Sequence, residues 1–340
     1  MTSIEWTDRV WNPVTGCTKV SKGCQHCYAE RVFHRPYGRD QWPNGDGTFR
    51  ARRFTDVECH PNRLDIPLHW RKPQRVFVNS MSDLFHEDVP DSFIDQVLAV
   101  MALCPQHTFQ LLTKRPERMR DYLSHTTGVG NVLTRVLKAA QSIEMPRGRH
   151  KPDGPGWPLR NAWLGVSVED QATADERIPL LLETPAAVRW ASYEPALGPI
   201  EFREQWMHKQ GCPSLSDWAG GLLPCSCASR RDALSAVEFP RLDWIVVGGE
   251  SGPGARPFDV AWARSTVEQC KAASVPVFVK QLGARPEHRV QRVNSDGYGG
   301  DHGPGWTSAM KPLRLVDRKG GDPDEWSADL RVRQFPEVRS

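Results

Sequence analysis

Long hydrophobic runs are missing from this 340-residue chain: none approaches the ~18 apolar residues that span a bilayer, which predicts no membrane partner. The opening stretch, "MTSIEWTDRVW", lacks the basic and apolar regions of an export signal, which predicts a cytoplasmic protein. Charge of one sign is not in excess either. The 44 Lys and Arg against 41 Asp and Glu leave a net charge of +3, too little to imply nucleic acid by itself. No GxGxxG fingerprint follows an apolar run, so dinucleotide binding of that kind is not expected. There is no internal repeat, and no Ser/His or paired-carboxylate spacing of a metal-free hydrolase. Disulfides are excluded by context: nine cysteines, an odd number, in a chain without an export signal read as reduced thiols or metal ligands.

What is present is an ordinary globular composition, 39% hydrophobic and 25% charged, long enough to need no staples. Six short apolar runs recur, most followed by a turn and then by helix-period sequence. They are Arg75–Asn79 ("RVFVN"), Thr108–Thr113 ("TFQLLT"), Ala162–Val168 ("AWLGVSV"), Val188–Ser192 ("VRWAS"), Trp244–Gly248 ("WIVVG") and Pro276–Lys280 ("PVFVK"). Ile4–Trp11 makes a weaker seventh. Nearly continuous apolar runs suit strands buried on both faces, as in parallel sheets. Between them, Asp91 reads as an N-cap ahead of an apolar stripe of Phe93, Ile94, Val97, Leu98 and Met101. Arg177–Leu182, with Ile178, Leu181 and Leu182 inward, and Val260–Ala273 are similar.

Repeated strand–helix units predict right-handed crossovers and an α/β fold, a full or partial parallel (β/α) barrel with a cysteine loop after its first strand. The barrel core is expected over residues 1–285, interrupted by a loop at 126–160 and an insertion at 204–240. Residues 286–340 are expected to form a C-terminal extension packing on it. There "LRVRQFPEV" (Leu330–Val338) would dock as a last strand or cover the barrel.

Parallel barrels carry their chemistry at the carboxyl ends of the strands. Polar residues collect there: "NSMSD" (Asn79–Asp83), "TKR" (Thr113–Arg115), "SVED" (Ser167–Asp170), "SYE" (Ser192–Glu194), "GGES" (Gly248–Ser251) and "KQ" (Lys280–Gln281). Lys114 and Lys280 directly follow apolar runs and should point into the mouth. With Glu194 they are the candidate catalytic residues. The acids Asp83, Glu169, Glu194 and Glu250 can equally be helix caps or ion-pair partners. Arg115, like the lysines, can neutralise them or hold a substrate phosphate or carboxylate.

The densest signal is "GCTKVSKGCQHCYAE" (Gly16–Glu30), which places Cys17, Cys24 and Cys27 within eleven residues. Structural zinc wants four closed ligands, and the fourth would come from His26, Cys59, His60 or a distant residue. Thiolates also hold iron–sulfur clusters, whose cubane form normally takes four. Three cysteines leave one iron open, and an open iron is what binds S-adenosylmethionine through its amino and carboxylate groups. Cys212, Cys225 and Cys227, with His208, can make a small zinc site or an auxiliary cluster in the insertion, or be unliganded thiols. Basic stretches, "RARRF" (Arg50–Phe54) and "RGRHK" (Arg147–Lys151), read as solvated loops or as part of a nucleic-acid grip.

Eight stretches carry a resemblance: "WNPVTGC" (Trp11–Cys17), "CQHCYAE" (Cys24–Glu30), "VNSMSDLFH" (Val78–His86), "LLTKRPERM" (Leu111–Met119), "WLGVSVE" (Trp163–Glu169), "SYEPALGPI" (Ser192–Ile200), "DWIVVGGESG" (Asp243–Gly252) and "PVFVKQLG" (Pro276–Gly283). On these the chain resembles the phage-associated three-cysteine-motif family, an uncharacterised family similar to radical S-adenosylmethionine enzymes. The resemblance implies a barrel of the radical-SAM type with a 4Fe-4S cluster on Cys17, Cys24 and Cys27. It also implies S-adenosylmethionine as cofactor, an electron donor as partner, and a small-molecule or nucleic-acid substrate attacked by a 5′-deoxyadenosyl radical. The superfamily's aromatic position before the last cysteine is His26 here. Its methionyl-amine motif follows the second strand, which makes Ser80, Ser82 and Asp83 the candidates, while "GGE" at Gly248–Glu250 follows a late strand instead. Ser167 and Glu169 are expected to contact the cofactor as well. The rival expectation is a non-enzymatic, zinc-stabilised barrel binding nucleic acid or a partner protein.

Overall fold

Each apolar run becomes a strand, and the strands lie side by side in chain order. The computed structural model describes residues 4–33, 53–125, 131–152, 154, 156–207, 240–293 and 306–337. Along the chain come β1 (Arg9–Trp11), the short antiparallel pair β2 (Val14–Thr15) and β3 (Glu58–Cys59), β4 (Arg75–Val78), β5 (Thr108–Thr113), β6 (Ala162–Val168), β7 (Val188–Tyr193), β8 (Trp244–Gly248), β9 (Phe258–Asp259) and β10 (Val277–Gln281). A hairpin, β11 (Pro286–Val293) and β12 (Trp306–Pro312), follows. The main sheet has seven strands in the order β1-β4-β5-β6-β7-β8-β10, every neighbour parallel. Because the order never reverses, all crossovers pass over one face and the sheet curls into a half-barrel. The expectation of a parallel barrel holds in its partial form.

The two faces of the sheet bury different residues. Val76, Val78, Leu111, Leu164, Val166, Ile245, Val247 and Val279 pack outward into the main core with the helices α2 (Asp91–Leu103), α3 (Pro116–Ser124), α4 (Val132–Ser142), α5 (Gln171–Glu183), the short α6 (Glu204–Met207) and α7 (Val260–Ala273). The alternate residues Phe77, Trp163, Val188, Trp190, Trp244, Val246 and Phe278 form a second cluster with Trp6, which fills the concave side. Burial on both faces explains the unbroken apolar runs; β6 is buried at every position. Gly165 is required by this packing, since a Cβ there would lie 2.4 Å from the Trp190 ring. Leu112, the register partner of Gly165 on β5, is partly buried against the same cluster.

The residues Ile178 and Leu181 are buried on α5 and Leu182 is half-buried. One helix start differs from expectation. Pro90 is the N-cap of α2, and Asp91, expected as the cap, is its first helical residue, where a carboxylate still meets the positive end of the helix. The C-terminal segment borders the free edge of β10: Val279 N–H donates to Val332 O at 2.8 Å and Gln334 N–H to Val277 O at 2.9 Å. Phe335 then stacks under the aromatic floor, 5.5 Å from Trp244 and 5.4 Å from Phe278. The described residues of the basic loop Met145–Pro158 are exposed or half-buried, none fully buried. His208, Cys212, Cys225 and Cys227, and Arg50 to Arg52 of the first basic stretch, lie outside the described residues.

Candidate functional site

The cysteine loop leaves β2 across the carboxyl edge of the half-barrel. Gly16 makes this turn with φ +91, and a Cβ there would lie 2.5 Å from Asp56 O and 2.9 Å from Phe54 O. Only a residue without a Cβ fits both the angle and the approach. Backbone bonds from Gly16 N–H to Met81 O (3.1 Å) and from Cys17 N–H to Phe54 O (2.9 Å) then fix Cys17. Cys24 closes a short 3-10 turn, Lys22–Cys24, and Cys27 precedes α1 (Tyr28–Phe33), its carbonyl accepting from Arg31 N–H. Cys17 and Cys27 lean on one small apolar cluster of Ala29, Phe33, Phe54 and Met81.

All three thiols are half-buried and unpaired by disulfides. Burial, with Asp83 alongside, pushes the Cys17 thiol up to about 12 against the opposing pull of Arg115. Burial likewise raises Cys27, and Cys24 adds to the upward push on both, which places it within electrostatic reach of each. Cys17 and Cys27 are therefore protonated at neutral pH, and metal binding must release those protons. Among the described residues, no three His, Cys, Asp or Glu side chains converge as ligands of a single metal ion. Cys59, a candidate fourth zinc ligand, sits in β3 with its thiol raised to about 11 by burial, and His60 bonds Thr15 Oγ1 through Nε2 at 2.7 Å.

The loop is clamped by groups from three strand ends. Ser21 Oγ donates to Glu169 Oε1 at 3.0 Å and lies 3.8 Å from Cys24 Sγ. Gly23 packs so closely on Glu169 that a Cβ would come within 2.4 Å of the carboxylate oxygen. From beyond β8, Glu250 pairs with His26 Nδ1 (3.1 Å) and with Arg256 Nη2 (2.8 Å), and Arg256 Nη1 donates to Lys22 O at 2.9 Å. Burial pushes the Glu250 carboxyl up, yet the bonds from Arg256 and His26 together hold it below its ordinary range. From β5, Arg115 reaches Cys17 and Thr18.

Lys114, Ser167 and Glu169 come together beyond the carboxyl ends of β5 and β6. Lys114 Nζ donates to Ser167 Oγ at 2.5 Å and pairs with Glu169. Glu169, 1% exposed, is also paired with the buried Arg177 at 3.2 Å. Ser167 Oγ donates to Glu194 O at 3.1 Å, which ties this group to the Glu194–Lys280 pair at 2.6 Å. Gln281 Nε2 donates to Glu194 Oε1, the oxygen that Lys280 also holds, at 3.3 Å.

The candidates after the second main strand behave differently. Asp83, 5% exposed, accepts from Phe85 N–H (3.0 Å), Thr113 Oγ1 (2.8 Å), Lys114 N–H (3.0 Å) and Arg115 Nη1 (3.3 Å). Ser82 Oγ donates to Val14 O at 2.8 Å, and Ser80 Oγ to Asn12 Oδ1 at 3.3 Å, while Tyr28 OH donates to Ser80 O. These three join strand ends to the root of the cysteine loop, and Asp83 has its lone pairs engaged by protein donors.

Sequence reasoning passed over Arg177, Arg256, Ser21, Thr18 and the buried His86. Arg177 carried a signal, since it shares the helical spacing of Ala174, Ile178 and Leu181, all buried. A charge inside an apolar stripe demands a buried partner.

A family model described as "Protein of unknown function (DUF5131)" matches residues 1–307. The chain belongs to that family. The match spans the half-barrel, the cysteine loop and every strand-end group described above, so this DUF5131 site lies wholly inside the shared region. No curated protein and no solved structure matches the chain. No helix among the described residues is long and apolar enough to cross a membrane.

Proposed function

We propose that this DUF5131 protein is a radical S-adenosylmethionine enzyme of the cytoplasm whose 4Fe-4S cluster is held by Cys17, Cys24 and Cys27. The observation that carries the reading is the clamped loop: three thiols from one segment, pinned over the carboxyl mouth of a parallel half-barrel by charges from separate strands. The donor set fits the group. Cubane thiolates bind different irons, so they need not converge as the ligands of one ion must, and three of them leave one iron for another ligand. When bound, such a cluster supplies the electron that splits the carbon–sulfur bond of S-adenosylmethionine and yields a 5′-deoxyadenosyl radical. The electron comes from a low-potential donor protein or reductant.

The chain's own residues have separable tasks. His26, its side chain 37% exposed, presents an imidazole edge beside the loop where an adenine would lie. Lys114, Ser167 and Glu169 form a polar wall that can hold the amino-acid end of S-adenosylmethionine. Glu194 and Lys280, each 17% exposed and joined to that wall through Ser167, are candidate substrate contacts. The Trp6, Trp163, Trp190 and Trp244 floor closes the half-barrel below them and excludes water from a radical. Substrate, whether small molecule or nucleic acid, enters from the carboxyl side.

The test is anaerobic reconstitution with iron and sulfide, followed by reduction with dithionite in the presence of S-adenosylmethionine. About four irons per chain and release of 5′-deoxyadenosine are expected. Stoichiometric zinc with no uptake of iron ends the proposal.

A further inference from the structure

The guanidinium of Arg115 has every N–H engaged, three of them on the root of the cysteine loop. It has five N–H groups, and each has its own acceptor. Nε donates to Glu87 Oε2 at 3.0 Å. Nη1 donates to Asp83 Oδ2 at 3.3 Å and to Cys17 Sγ at 3.7 Å. Nη2 donates to Thr18 Oγ1 at 2.7 Å and to Thr18 O at 3.4 Å. The side chain is 10% exposed, and the two carboxylates fix the plane of the fork from outside the loop.

Thr18 is held from a second direction. His86, fully buried, accepts from Asp88 N–H on Nδ1 (3.1 Å), so its Nε2 carries the proton and donates to Thr18 Oγ1 at 2.8 Å. The residue after the first cysteine is thus tethered by an arginine and a neutral histidine. Among the described residues no cationic side chain donates to the sulfur of Cys24 or Cys27; the Ser21 hydroxyl is the neighbour of Cys24.

We infer that Arg115 is the positioning residue of the Cys17 corner, orienting that sulfur and donating an N–H to it when it carries a cluster iron. The inference rests on the cluster reading given above. A thiolate accepts from a guanidinium more strongly than a neutral thiol does, so the contact tightens on metal loading. Hydrogen bonds to cluster sulfurs are among the protein's levers on reduction potential, because they stabilise the more negative, reduced state. Lysine retains the charge but offers three donors from one point and cannot serve Glu87, Asp83, Thr18 and Cys17 together. Arg115 therefore sets the Cys17 corner apart from the other two.

The experiment uses the full chain with Arg115→Gln and Arg115→Lys, before and after anaerobic reconstitution with iron and sulfide. In the metal-free chain, hydrogen exchange over residues 17–24 should quicken at least tenfold in Arg115→Gln while the strands keep their protection. In the loaded chain, the reduction potential followed by electron paramagnetic resonance should fall in Arg115→Gln and return part-way in Arg115→Lys. Unchanged exchange together with an unchanged potential overturns the inference. Failure of the wild-type chain to take up iron defeats the cluster reading instead, and the exchange measurement then still decides whether Arg115 positions the loop. Should Arg115→Gln not fold, the same two readouts on Arg115→Lys decide the matter.

Discussion

Removing the charge of Glu169 should unhinge both the mouth and the loop that covers it. Its carboxylate is 1% exposed and Arg177 is 3% exposed, so neither charge can turn to water when its partner is lost. Taking one member out of a buried pair costs ~3–5 kcal/mol, because the survivor stays buried and uncompensated. Lys114, at 20% side-chain exposure, can swing outward and recover part of its hydration. Glu169→Ala should therefore fall near ~3–4 kcal/mol, and Glu169→Gln, which keeps shape and some hydrogen bonds, about 1 kcal/mol less. The decisive comparison is the double variant Glu169→Ala/Arg177→Met. It removes the stranded cation as well and should recover at least half of the loss, a strong coupling between residues in contact. Urea unfolding of the metal-free wild type, Glu169→Ala, Glu169→Gln, Arg177→Met and the double variant reads all five proteins. A loss below ~1 kcal/mol for Glu169→Ala, or simple additivity in the double variant, would refute the claim that this pair anchors the site.

Four further outcomes follow from particular contacts. Gly165→Ala would place a methyl 2.4 Å from the fully buried Trp190 ring, so a loss of ~1–3 kcal/mol is expected in the same unfolding assay, and a neutral result would contradict the aromatic floor. Gly16→Ala should cost at least as much, since both φ and the backbone of Asp56 oppose the side chain, and iron uptake at Cys17 should fall with it. Acid should weaken the protein in two stages. Burial depresses His86, so stability is lost as pH drops below the ordinary histidine value of about 6.5, while Glu250, held low by Arg256 and His26, loses its contribution only as pH falls through its own depressed value. A melting temperature that is flat from pH 7 to 8 and declines below about 6.5 is expected, with the first stage abolished in His86→Gln; a flat profile to pH 5 would contradict it. On the alkaline side, thiols raised by burial at Cys17 (about 12) and Cys59 (about 11) favour the fold until the unfolded chain ionises its own, so stability of the metal-free chain should decline above about 8.5.

The strands were legible because burial on both faces removes alternation, and Thr108–Thr113, Ala162–Val168 and Trp244–Gly248 begin and end where their apolar runs do. Whether the barrel closes was not legible. Closure depends on whether β1 and β10 meet, and here Trp6, Phe335 and the segment through Val332 occupy that gap with side chains and an extra run of backbone bonds. The start of α2 was misplaced by one residue because an aspartate suits both the cap and the first turn.

At the site, position at the end of an apolar run was enough to single out Lys114 and Lys280, and each continues the phase of a concave-side residue of its strand, Leu112 and Phe278. The partners of those lysines were not readable. Glu169 and Arg177 are eight residues apart, but Glu194 and Lys280 are separated by the whole span of β8 and α7, and pairing across that distance is fixed by tertiary packing alone. Asp83 is by position a candidate cofactor contact, and its four protein donors become visible only when Thr113 and Arg115 arrive beside it.

The central claim is that three sulfurs of one clamped loop hold a cluster with a free corner. The most direct measurement is the electron paramagnetic resonance spectrum of the reduced, reconstituted protein, recorded with and without S-adenosylmethionine. A cubane signal whose shape changes when the sulfonium compound is added is the predicted result. A signal indifferent to the addition, or no cluster signal at all from a chain that is folded and has its cysteines intact, would contradict the account.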